Sequence, residues 1–89
     1  MVRVRVRLVS LLREAVGGSE VVIEVGEDAT LRDVLKTLFT RYPGLEKLVR
    51  ELEARGLDIV YLVNGRFSGL DQQVRDGDEI VILPPASGG

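Results

Sequence analysis

Val2-Arg3-Val4-Arg5-Val6-Arg7-Leu8 alternates apolar and cationic residues without interruption. A period of two belongs to a β-strand, whose successive side chains point to opposite faces of a sheet. Val2, Val4, Val6 and Leu8 are expected in a core, with Arg3, Arg5 and Arg7 on a solvated face. A sheet of this kind is covered on one side only, so the rest of the chain has to supply one layer of helix.

The remaining segments fit that demand. Residues 10–16 read as a short helical turn stopped by Gly17-Gly18, and residues 20–25 as a second strand. Thr30 is suited to an N-cap, with Asp33 three positions on as the acidic partner of a capping box. Leu31, Val34, Leu35, Leu38 and Phe39 recur at helical spacing in one apolar stripe. Pro43-Gly44 is expected to end this main helix, and residues 45–55 to form a shorter, more charged helix with Leu45, Leu48, Val49 and Leu52 inward. Residues 59–63 are a third strand, Asn64-Gly65 a hairpin turn, and Arg66-Phe67 a short strand. After a loop and the Asp76-Gly77-Asp78 turn, Glu79-Ile80-Val81-Ile82-Leu83 is the last strand. The class is α+β, a mixed sheet with one main helix across it plus a shorter second helix. If the first and last strands pair in parallel at the centre, this is the β-grasp arrangement of ubiquitin. Residues 1–83 are expected to form that domain and residues 84–89 a flexible tail.

The ending is as constraining as the beginning. Pro84-Pro85-Ala86-Ser87-Gly88-Gly89 follows a strand directly. Proline offers no N–H and a fixed φ, and glycine has no side chain to anchor. Six extended residues span about 20 Å, at ~3.3–3.6 Å each. The expected object is an arm, stiff at its base and thin at its tip, that carries a bare carboxylate away from the body. A frayed end would share the glycines but would not need a two-proline stem.

The composition removes most alternatives. With 45% hydrophobic and 29% charged residues, the class is a soluble globular domain. The chain has no cysteine and no histidine. That excludes thiolate metal sites and a cysteine nucleophile, along with the usual general base. Asp76 and Asp78 alone are too few ligands for a cation site. The net charge of −2 gives no general attraction to nucleic acid or membrane, and no aromatic residue is interleaved among the arginines to stack on bases. No signal peptide or membrane span is expected, so the default compartment is the cytoplasm. Lys36 and Lys47, the only lysines, read as surface charge.

In residues 79–83 both faces of the strand are apolar. Val9, Phe67 and Leu83 lie at the ends of elements heading for the tail, and on the solvent side they would form a docking patch beside it. The alternative is that the 45–55 helix covers them.

Val63-Asn64, Asp76-Gly77-Asp78-Glu79 and Pro84-Pro85-Ala86-Ser87-Gly88-Gly89, with Arg13-Glu14 before Val16-Gly17, together resemble the molybdopterin synthase small-subunit (MoaD) family. These are sulfur carriers of the MoaD/ThiS ubiquitin-like group. The Pro-Pro stem favours this branch over the thiazole-forming one. The resemblance implies that an ATP-dependent, ubiquitin-activating-type enzyme adenylates the Gly89 carboxylate. A persulfide donor then turns it into a thiocarboxylate. The large synthase subunit next admits Gly88-Gly89, and sulfur passes to cyclic pyranopterin monophosphate. It implies partner contacts at Val9, Phe67, Leu83, Pro84 and Pro85, polar ones at Arg13 and Arg66, and no cofactor or metal on this chain. The catalytic site is expected on the large subunit. Two other functions share the ending: a protein modifier joined through Gly89 to target lysines, and a passive binding module.

Overall fold

The structure, a computed structural model, describes residues 1–84. Strand β1 (Val2–Leu8) is followed by a 3-10 helix (Ser10–Ala15), β2 (Glu20–Val25), helices α1 (Leu31–Arg41) and α2 (Pro43–Ala54), and then β3 (Val60–Val63), β4 (Arg66–Phe67) and β5 (Glu79–Leu83). The strands form one mixed sheet in the order β2-β1-β5-β3-β4. β1 and β5 run parallel at its centre, in register Val6↔Ile80 and Leu8↔Ile82, and the other pairings are antiparallel. This is the ubiquitin-like β-grasp expected from the alternating first strand and the apolar last one.

The alternation in β1 is matched by its burial. Val2, Val4, Val6 and Leu8 are buried and the arginines between them exposed. Ile23 of β2, Ile80 and Ile82 of β5 and the stripe of α1 complete one core on that face, with no buried polar side chain among the described residues. The turn between β3 and β4 is also as the sequence requires: Asn64 (φ 52°) and Gly65 (φ 82°) both sit in the left-handed region, which a two-residue type I′ hairpin loop demands.

The second helix corrects two expectations. Pro43-Gly44 opens α2 where the sequence reading had it end α1, and α2, at 12 residues, is longer than α1 at 11. The break falls on Tyr42 alone (φ −126°, ψ 77°). Proline is tolerated at the first helical position because the N–H it lacks would have had no partner there. Leu45 and Val49 are buried, while Leu48 and Leu52 pack half-buried against the core. α2 packs on α1 and on the 3-10 helix, so it extends the helical layer and leaves the opposite face of the sheet open.

The start of α1 is held by its cap. The Asp33 carboxylate accepts hydrogen bonds from the Thr30 backbone N–H (2.9 Å) and from the Thr30 hydroxyl (3.2 Å). These bonds hold its pKa below the ordinary carboxylate value. A depressed folded-state pKa adds stability above the unfolded-state value of ~3.9, and that stability is lost as pH falls through the folded value. The stability difference between the protein and its Asp33→Asn variant should therefore be constant near neutral pH and shrink on acidification below about pH 4. Urea unfolding across that range measures it; a difference independent of pH would rule out the cap as drawn.

Candidate functional site

The face of the sheet away from the helices is built from two kinds of side chain. Residues paired in register share a face, at cross-strand distances of ~4.5–5.5 Å. On β5 the residues opposite to Ile80 and Ile82 in phase are Glu79, Val81 and Leu83, all half-buried. Leu83 pairs with Val60, Val81 with Leu62, and Leu62 with Phe67. These five apolar residues form one continuous patch, in which Phe67 is 81% exposed. Val9 follows Leu8 with extended backbone (φ −122°, ψ 160°), so the alternation carries its half-buried side chain to the same face, one step beyond the Leu8↔Ile82 pair.

The other half of this face is ionic. Arg3 meets Glu24 at 3.4 Å, and Glu79 lies between Arg5 (3.7 Å) and Arg7 (3.9 Å). All three pairs are substantially exposed, so each contributes little stability. With Glu20 opposite Arg7 in register, three carboxylates offset the three arginines of the row, leaving the apolar patch as the feature that distinguishes this side of the molecule.

The structure brings Val9, Phe67 and Leu83 to one face, and the half-buried Pro84 follows Leu83 at the base of the tail. Arg13 lies on the 3-10 helix directly after β1, at the tail end of the sheet, with its Nε donating to the Ser10 carbonyl at 3.4 Å. Arg66 is not part of this group: it pairs with the buried, core-facing Val63, on the other face of β4. Pro85, Gly88 and Gly89 lie outside the described residues. The sequence reading missed Val60, Leu62 and Val81. A signal for one of them was present, because a two-residue turn at 64–65 forces Leu62 opposite Phe67.

On the helix side, a cleft of about 470 Å³ opens between α1 and α2 over Leu35, Phe39, Val49 and Tyr61. Burial raises the pKa of the Tyr61 phenol, so at neutral pH it is a protonated hydroxyl and no base. The carboxylates of the 76–78 turn are committed to structure. Asp76 accepts from the Arg3 N–H, and Asp78 from the Asn64 amide and the Arg75 N–H, each at 2.8 Å.

Residues 6–89 match the model of the ThiS family. The chain is 34% identical over 88 residues to small archaeal modifier protein 3 of Haloferax volcanii, covering 93% of this chain and 95% of that protein. It is 29% identical over 79 residues to a molybdopterin synthase sulfur carrier subunit of Chlamydomonas reinhardtii, over 86% of this chain and 87% of that one. The crystal structure of small archaeal modifier protein 1 from Haloferax volcanii superposes with a TM-score of 0.84 at 28% identity, over 97% of this chain and 100% of that one.

Removing the exposed ring and removing a core side chain should have opposite consequences. Phe67→Ala is expected to change unfolding free energy by less than about 1 kcal/mol. Ile82→Ala, on the buried face of the neighbouring strand, should cost about 2–5 kcal/mol. Urea denaturation of the two variants decides it. A loss of several kcal/mol at Phe67 would make that ring a core residue and remove the patch.

Proposed function

The chain belongs to the ThiS family, the ThiS/MoaD-type sulfur carriers, and from that premise we propose that it is the small, sulfur-donating subunit of a molybdopterin synthase. The observation that carries this reading is the position of Leu83 and Pro84. The last strand delivers the base of the Pro-Pro-Ala-Ser-Gly-Gly segment to the edge of an uncovered apolar patch. A partner seated on Val60, Leu62, Phe67, Val81 and Leu83 would thus have the tail leading into it. The sulfur carrier subunit of Chlamydomonas, similar over most of this chain, supports the same choice.

The chemistry follows from the carboxylate. A free carboxylate is a poor acyl donor because its leaving group is oxide. Joining the Gly89 carboxylate to AMP, with release of pyrophosphate from ATP, replaces oxide by a phosphate leaving group. The terminal sulfur of a persulfide then attacks the acyl carbon and AMP departs. A thiol cleaves the resulting S–S bond by exchange, leaving a Gly89 thiocarboxylate. In the large subunit its sulfur is transferred to cyclic pyranopterin monophosphate, and Gly89 returns to a carboxylate. Small carriers of this family are generally not catalysts, since the active site lies on the partner. Here the chain contributes the reacting terminus and the docking face, and Gly88 and Gly89 contribute slenderness, because a side chain at either would widen the part that enters. Val9 and Pro85 are assigned to the docking surface, with Arg13 as a polar contact at the tail end and Arg66 as one at the sheet edge.

A second reading has its own support, since small archaeal modifier proteins 1 and 3 are each more than 30% identical to this chain over most of its length. In that role the adenylated Gly89 is captured by a lysine amine, forming an isopeptide bond. Activation is common to both readings, and the final nucleophile differs.

Deleting Gly89 should leave the unfolding midpoint unchanged and abolish sulfur transfer in a reconstituted synthase assay; near-normal transfer would overturn the mechanism. The mass of the intact protein from its native host separates the two readings. A species with one oxygen replaced by sulfur that takes up a thiol alkylating reagent, in a chain without cysteine, identifies the thiocarboxylate. Conjugates joined through Gly89, with no such species, identify the modifier.

A further inference from the structure

Most arginines of this protein are satisfied internally. Arg3, Arg5, Arg7, Arg32 and Arg50 each face a carboxylate, and Arg13 and Arg41 donate to backbone carbonyls. Among the described residues, Arg55, Arg66 and Arg75 have neither kind of partner. Two of these three share one place. Arg66 and Arg75 line a polar pocket of about 360 Å³ with Gln72, Gln73, Asn64 and Asp78, at the β4 edge of the sheet.

The lining sets two guanidinium cations against the single Asp78 carboxylate, a net charge of +1, and its side-chain oxygens are oriented by hydrogen bonds to other groups. Both oxygens of Asp78 accept hydrogen bonds, from the Asn64 amide and the Arg75 N–H. The Asn64 amide oxygen accepts from the Glu79 N–H, and Gln72 Oε1 accepts from the Ser68 hydroxyl. What faces a ligand is two guanidinium forks and the Gln72 NH₂ group, with cationic charge one unit in excess of the Asp78 carboxylate beside them. The same hydrogen bonds make the supports rigid. The 2.8 Å Asn64–Asp78 bond ties the turn carrying Arg66 to the turn carrying Arg75. Two cations on one pocket repel each other, and an oxyanion bridging them removes that repulsion while accepting charge-assisted hydrogen bonds from both.

We infer that Arg66, Arg75 and Gln72 form an oxyanion-binding site, distinct from the apolar patch and at the opposite end of β5 from the tail. Its ligand chemistry is a phosphoryl group or a side-chain-like carboxylate. The site shares Arg66 with the partner surface proposed above but leaves the apolar patch and the tail base uncovered, and it is argued from the pocket's own lining, so it does not rest on that function.

The test is an NMR titration of the full chain at constant ionic strength, following the arginine Nε–Hε and glutamine side-chain signals. Inorganic phosphate and glutarate serve as separate probes. Saturable shifts at Arg66, Arg75 and Gln72, with none at Arg55, are the expected result. Tighter saturation by phosphate assigns a phosphoryl source, and tighter saturation by glutarate assigns the carboxylate of an acidic protein segment. Arg75→Gln should weaken binding about 10-fold, as expected for loss of a hydrogen bond between charged groups. The double variant Arg66→Gln, Arg75→Gln should show no saturable shift. Both side chains are exposed and the Asn64–Asp78 framework is untouched, so the backbone spectrum of each variant should keep the native pattern. Linear shifts of equal size at Arg55, Arg66 and Arg75 would overturn the site, as would an Arg75→Gln variant that binds as tightly as the parent.

Discussion

The parallel pairing of β1 with β5 is the constraint on which the rest of the molecule depends. It joins the first and last segments of the domain, in register Val6↔Ile80 and Leu8↔Ile82, and every other element is arranged around that central pair. Parallel strands need a long crossover, and the intervening chain supplies β2, both helices and the β3–β4 hairpin. Because the two strands point the same way, the end of β1, the 3-10 helix and the base of the tail all lie at one end of the sheet. An antiparallel pairing with the same residues would bury the same side chains and send the tail out at the other end, away from Val9 and Arg13.

The central position of β5 also determines its chemistry. A strand flanked on both sides and covered on one face needs only Ile80 and Ile82 for the core, yet Val81 and Leu83 are apolar too. Burial on the helix side does not call for them. They make sense as part of a surface, since Val60 and Leu62 from β3 and Phe67 from β4 extend them into a patch that neither helix covers. On the other side of the same strand, Glu79 holds Arg5 and Arg7. The face is consequently divided into an apolar half and a neutralised ionic half, so hydrophobic burial would supply most of a partner's affinity there and charge would contribute mainly to orientation.

The short acidic and amide side chains serve the backbone more than they serve the surface charge. Asp33 caps α1, Asp76 accepts from the Arg3 N–H, and Asp78 joins the two turns at the β4 edge through Asn64 and Arg75. Each tight turn thereby gains a substitute for a missing backbone partner. The same bonds orient Asp78 toward the two turns, and among the described residues neither Arg66 nor Arg75 forms an ion pair with it.

What the amino-acid sequence determined alone is what depends on local physics. The period of β1, the stripe and cap of α1 and the left-handed turn at Asn64-Gly65 follow from side-chain alternation, helical spacing and allowed φ within a few residues. The start of α2 was not legible in this way. Pro43-Gly44 has the same local chemistry whether it stops one helix or opens the next, and the burial of Leu45 and Val49 in the layer that α2 shares with α1 and the 3-10 helix decided it. The composition of the patch was only half legible. Leu62 opposite Phe67 is a matter of turn length, but Val60 and Val81 join them only because β5 inserts between β1 and β3. Arg66 falls on the other face of β4 from Phe67 by the same turn length and by strand alternation. Strand order is a long-range choice, made by the free energy of burying one common core, and no window of a few residues contains it.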